Sequence, residues 1–129
     1  MSQIDSYDCI AVFSHGLVSP KEKINLHLAE IAKDVSADAP IVCPAQIWYF
    51  LQEPQFQVSN RCIPILPRSA EVEQTQKIDI IHELVWISDD RNWSKIAVIA
   101  HPWDQDFCTR LLTDRGFRVY KIDCSAVTK

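Results

Sequence analysis

Two short apolar runs, each leading into a histidine and then into a helix pattern, constrain this chain more than any other feature. The first reads Cys9-Ile-Ala-Val-Phe-Ser-His15-Gly16. The second reads Lys95-Ile-Ala-Val-Ile-Ala-His101-Pro102-Trp103-Asp104. An unbroken run of β-formers without polar alternation marks a strand buried on both faces. A strand buried on both faces needs helices above and below its sheet. In open sheets of that kind ligands bind beyond the carboxyl ends of the strands. The two histidines therefore mark a candidate site before any reaction can be named.

The rest of the chain continues the alternation. Residues 8–14 are the first strand. Ser19-Pro20-Lys21-Glu22 opens a helix with a capping serine, a proline at the first helical position and a capping-box glutamate. Ile24, Leu28, Ile31 and Val35 form its apolar stripe, and it fades at Ser36-Ala37-Asp38. Pro40 to Cys43 is a second strand, and Gln46 to Glu53 a short helix stopped by Pro54. Cys62 to Leu66 is a third strand, and Pro64 places it at a sheet edge because proline cannot donate to a ladder.

Ser69 to about Asp89 is the longest helix, with Val72, Thr75, Ile78, Ile81 and Val85 on one face and Leu84 widening it. Asp89-Asp90-Arg91-Asn92 is its polar stop, and residues 95–100 are the fourth strand. Asp104 to Arg115 is the last helix, with Gly116 as a left-handed cap, and Phe117 to Ile122 is the fifth strand. These elements predict one α/β domain over residues 1–129, a Rossmann-like three-layer sandwich. Its five-stranded, mostly parallel sheet is expected in the order 3-2-1-4-5, which brings the loops at His15 and His101 into one crevice.

Composition excludes several classes. Hydrophobic residues make up 47% and charged residues 23%, the balance of a globular chain. Formal net charge is -4 and no basic face is evident, which argues against nucleic acid as a partner. No apolar run approaches the roughly 20 residues that span a bilayer. The acidic start Met1-Ser-Gln-Ile-Asp-Ser-Tyr-Asp8 lacks the chemistry of a signal peptide. Cys9, Cys43, Cys62, Cys108 and Cys124 lie mostly in apolar patterns without a Cys-x-x-Cys, so reduced structural thiols and a cytoplasmic location are expected.

Known motifs are mostly missing. Gly16 and Gly116 are the only glycines, so neither a dinucleotide fingerprint nor a P-loop is present. Ser14 and His15 are adjacent and point apart in an extended segment, so they are no nucleophile–base pair. His15 can instead face His101 or Asp104 across the crevice, and either histidine suits acid–base chemistry near neutral pH. Trp103 offers a flat wall for a ring, and Asp104 stands where a helix N-cap belongs. Arg68 and Ser69 sit before the long helix, where an anion is favoured. The spacing of the histidines with Asp104 matches no zinc pattern, so no metal site is expected. His27 and His82 fall on polar helix faces.

Three segments resemble the YdcF-like family of domains of unknown function. They are Val12-Phe-Ser-His-Gly16, Pro67-Arg-Ser-Ala-Glu-Val-Glu-Gln-Thr75 and Ala100-His-Pro-Trp-Asp-Gln-Asp-Phe-Cys108, with Gly116-Phe117-Arg118-Val119 closing the pattern. The resemblance runs from about residue 7 to 123. It implies a Rossmann-like fold, a polar crevice and a link to envelope metabolism or to a nucleoside-like cofactor, S-adenosylmethionine. This chain departs from the pattern at Lys77 and Ile78, where the family has glutamate and asparagine. It departs again at Asp104 and Phe107, where the family has histidine and arginine.

The leading expectation is a small-molecule-binding domain. Its crevice is lined by Ser14, His15, Gly16, Arg68, Thr75, His101, Trp103 and Asp104, with the two histidines as the acid–base groups of any chemistry. Its cofactor is not identified by the residues. The alternative is a non-catalytic interaction module that forms a homodimer or partner complex, with an apolar patch around Trp48, Tyr49 and Phe50. A third reading, a histidine-based metal enzyme of chelatase type, rests only on the Ser-His-Gly strand end.

Overall fold

A computed structural model of the chain describes residues 7–13, 22–36, 39–53, 62–65 and 73–124. Strands and helices alternate along it: β1 (Cys9–Val12), α1 (Glu22–Ser36), β2 (Ile41–Pro44), α2 (Ala45–Leu51) and β3 (Cys62–Ile65) come first. Then follow α3 (Glu73–Arg91), β4 (Lys95–Ile99), α4 (Pro102–Asp114) and β5 (Arg118–Lys121). The described strands form one five-stranded sheet in the order β3-β2-β1-β4-β5. Every neighbouring pair is parallel. This is the predicted order and the predicted Rossmann-like α/β architecture, with Pro64 in an edge strand.

The strand pleat divides the core into two layers. Ile10, Val12, Ile41, Cys43, Ala97 and Ile99 meet Leu28, Ala29 and Ala32 of α1 and Ile47 and Leu51 of α2. Cys9, Ala11, Phe13, Val42, Ile96, Val98 and Ala100 meet Ile80, Ile81 and Leu84 of α3 and Cys108 and Leu112 of α4. Alternate residues of β1 and β4 are thus buried on opposite faces, which is why these two runs show no polar alternation. Fully burying each of the larger aliphatic side chains contributes roughly 1.5–3 kcal/mol. Cys9, Cys43, Cys108 and Cys124 are buried, and no disulfide joins any cysteine among the described residues. Burial pushes the Cys9 and Cys43 thiols above their ordinary range, as befits inert packing groups.

The helices corrected the sequence reading on which side faces inward. On α3 the buried residues are Ile80, Ile81, Leu84 and Ser88, whereas Ile78 is exposed and Val85 only half-buried. The side chains of Val72 and Thr75 lie outside the described residues. On α1 the buried face is Asn25, Leu28, Ala29 and Ala32, with Ile31 and Val35 flanking it. Both helices carry apolar residues around more than one side, so spacing alone admits several stripes. The sheet selects the one that lets small residues such as Ala29 and Ala32 approach it closely.

Both helices of the second layer end in a Schellman motif. In α3, Asn92 takes φ 62° and the Trp93 N–H donates to the Ser88 carbonyl at 3.0 Å. In α4, Gly116 takes φ 94°, its N–H donates to the Thr113 carbonyl at 3.0 Å, and Phe117 N–H donates to Leu112 at 3.3 Å. Gly116 is therefore the left-handed cap expected from the sequence. The residue after each positive-φ position is aromatic and lies at the amino end of the strand that follows.

Candidate functional site

The sheet order puts β1 beside β4, with Val12 opposite Ile99. Pairing continues past the strand, because the Phe13 N–H donates to the Ile99 carbonyl at 2.9 Å. β1 ends three residues before His15 and β4 two residues before His101. The two histidine-bearing loops thus depart from adjacent strands at the same edge, as the sequence reading required. Strand succession reverses direction here: β2 and β3 lie on one side of β1, and β4 and β5 on the other. This is the topological switch point of the sheet.

His101 is buried, 3% exposed. Its backbone carbonyl accepts the Asp104 N–H at 2.7 Å and the Gln105 N–H at 3.1 Å. His101 therefore occupies the N-cap position of α4 and Pro102 the first helical position, where proline loses no hydrogen bond. This corrects the expectation that Asp104 caps the helix. Asp104 lies in the first turn, half-buried, where a carboxylate is favoured by the helix dipole. The helix starts earlier than its polar residues suggest because a proline preset to helical φ needs no side-chain cap.

The first turn of α4 is also tied to the chain beyond β5. The Gln105 side-chain amide donates to the Ile122 carbonyl and approaches the Cys124 sulfur at 3.7 Å. The Cys124 thiol in turn donates to the Ile122 carbonyl at 3.3 Å. Burial raises the Cys124 thiol's pKa, opposed in part by a hydrogen bond from the Ala100 backbone. One flank of the His101 turn is closed by these contacts.

Ser14, His15, Gly16 and Arg68 lie outside the described residues. Trp103 and Thr75 are placed in the backbone of α4 and α3, in the first turn of each, with their side chains outside the description. Of the predicted site, the structure thus brings His101 and Asp104 together on one helix start. Among the described residues no group of three or more His, Cys, Asp or Glu is positioned to hold a metal ion. His27 and His82 are exposed.

The opposite edge of the sheet holds features the sequence reading passed over. Trp86, on α3, is 71% exposed. A hollow of about 370 Å³ beside it is lined by Ser88, Asp89, Trp93, Arg115 and Phe117, among others. The sequence signal is partial: Asp89-Asp90-Arg91-Asn92 marks the end of α3, but nothing in the spacing of Trp86 and Trp93 places them on one surface.

Neither a family model, nor a curated protein, nor a solved structure matches this chain. No helix among the described residues is long and apolar enough to cross a membrane.

Proposed function

We propose that this chain is a small-molecule-binding Rossmann-like domain, with an anionic or nucleoside-like ligand seated beyond the carboxyl ends of β1 and β4. The supporting observation is the switch point between those two neighbouring parallel strands, whose carboxyl ends precede His15 and His101 in the chain. In this reading His15, Ser14 and Arg68 supply polar contacts, Trp103 packs on a ring, and His101 forms the inner wall. Resemblance to the YdcF-like family favours the same crevice and a nucleoside-like ligand. Thermal shift against nucleotides and S-adenosylmethionine tests the reading. Stabilisation that disappears in His15→Ala is the expected result, and no stabilisation by any anionic or nucleoside-like compound refutes it.

A second reading, an interaction module without catalysis, draws on two observations. His101 is 3% exposed, and Trp86 and Tyr49 are 71% and 67% exposed. Trp48 and Phe50 are only half-buried against the core beside Tyr49. A stable dimer in size-exclusion measurements, dissolved by Trp86→Ala or Tyr49→Ala, would favour this module over the binding domain.

A further inference from the structure

The long helix α3 buries Ile80, Ile81, Leu84 and Ser88 against the sheet side. On its other side Ile78, His82, Trp86 and Asp90 recur every four residues, and all four are exposed, Ile78 by 39% and Trp86 by 71%. Side chains four apart on a helix are neighbours, so these residues form one continuous ridge. Trp86 lies about 200° of helical rotation from the buried Leu84, which is the outermost position the helix offers. Among the described residues the exposed large hydrophobics are Tyr49, Ile78 and Trp86, and two of these three share this ridge.

Shape and charge together say what covers the ridge. Helices pack by setting the ridge of one into the grooves of the other, and alignment of two rows of spacing four is the commonest class. Hollows flank this ridge: one of about 350 Å³ is lined by His82, Glu83, Val85 and Trp86, and one of about 410 Å³ by Trp86, Ile87, Asp89, Asp90 and Arg91. Along the row an imidazole stands four residues before the indole and a carboxylate four residues after it. An imidazole keeps an N–H donor in either charge state, and an ionised carboxylate only accepts.

This order is complementary to itself when reversed, which is what a two-fold contact between identical chains requires. Two parallel copies of the row would set imidazole on imidazole and carboxylate on carboxylate. A two-fold axis through Trp86 runs one row against the other and matches donor to acceptor twice. We propose that two copies of this chain associate through an antiparallel α3 pair. Trp86 packs on Trp86 of the partner subunit at the axis, and His82 of each protomer donates to Asp90 of the partner subunit. The inference rests on the interaction-module reading for the existence of a dimer and assigns that dimer one face. It is independent of whether the crevice at the carboxyl edge holds a ligand.

Sedimentation equilibrium of the full chain tests this. A reversible equilibrium is expected, rising from 14.8 kDa towards twice that mass, with a melting temperature that increases with concentration. Trp86→Ala weakens association about thirtyfold or more and removes that concentration dependence, while the melting temperature of the dilute chain stays unchanged. His82→Glu and Asp90→Lys each weaken association about fivefold or more, because each sets like charges opposite one another. The two substitutions combined restore it, a rescue that a misfolded variant could not show. The proposal is overturned if the chain stays monomeric at millimolar concentration, if the dimer survives Trp86→Ala, or if the combined variant associates no better than the single ones. A dimer dissolved by Tyr49→Ala and not by Trp86→Ala overturns this face and leaves the interaction-module reading standing. A monomer that binds phosphatidylglycerol vesicles through Trp86 overturns it as well.

Discussion

The two edges of the sheet solve their polar bookkeeping differently. At the carboxyl edge the described groups turn inward: Ala100 and His101 are buried, and Gln105 bonds back to the chain after β5. At the amino edge the Asp8 carboxylate fastens β1 to β4 by accepting the Ser94 N–H at 2.7 Å and the Lys95 N–H at 2.9 Å. Beside it, Trp86 projects into solvent and Ser88 Oγ is left unpaired. Helices of a parallel sheet begin at one edge and end at the other. Their beginnings offer N–H groups, and their ends demand left-handed residues such as Asn92 and Gly116. The difference teaches that one sheet can close its polar groups inward at one edge and leave an aromatic side chain uncovered at the other.

The comparison breaks most readily at Phe13, which is fully buried just past β1. Phe13→Ala should cost about 3–5 kcal/mol in urea unfolding, and a loss below about 1 kcal/mol would mean that the carboxyl edge is loosely packed after all. Next in size is Gly116, whose φ of 94° a side chain rarely adopts. An added Cβ meets nothing within 4 Å, so space is not the obstacle. Gly116→Ala should therefore cost about 1–2 kcal/mol through backbone strain alone, whereas Asn92→Gly is expected to be close to neutral. Equal costs at the two positions would separate the turns that the structure describes as alike.

Asp8 gives a pH test of the amino edge. Two backbone N–H donors, from Ser94 and Lys95, hold its carboxyl below the ordinary 3.8, with burial acting the other way. Because the folded value is lowered, the unfolded chain binds more protons in the window just below 3.8. The stabilisation is complete above that window and drains away as pH falls through the lowered folded value. Asp8→Asn should remove about 1 kcal/mol at neutral pH and flatten the acid limb of the stability curve. An acid limb identical to that of the unaltered chain would show that the two hydrogen bonds do not differ between folded and unfolded states. The smallest effect belongs to Trp86→Ala, expected within about 0.5 kcal/mol because the ring is exposed. A large loss there would place Trp86 in the core and remove it from any binding surface.

Much of the fold was legible because its signals are local. The unbroken apolar run at Cys9–Val12 requires burial on two faces, Pro64 excludes a central strand, and Gly116 supplies the one backbone conformation that ends α4. The strand order followed from placing those two-faced strands in the middle. The candidate site was less legible. Asp104 looks like a cap by residue type, but His101 holds that position because Pro102 starts the helix one residue later. Trp86 lies within a run, Leu84-Val85-Trp86-Ile87, whose residues all read as apolar. Only contact with the sheet separates the buried Leu84 from the exposed Trp86.

The sequence by itself determined the alternation of elements, the parallel sheet and its order, since each follows from local propensity and from which runs must be covered on both sides. Tertiary structure alone decided which side of α1 and α3 faces the sheet, and that His101 turns inward. It also decided that residues separated along the chain, Ser88, Trp93, Arg115 and Phe117, border one hollow. The physical reason is that a helix with apolar residues on several sides has no preferred face until a partner surface removes one of them from water.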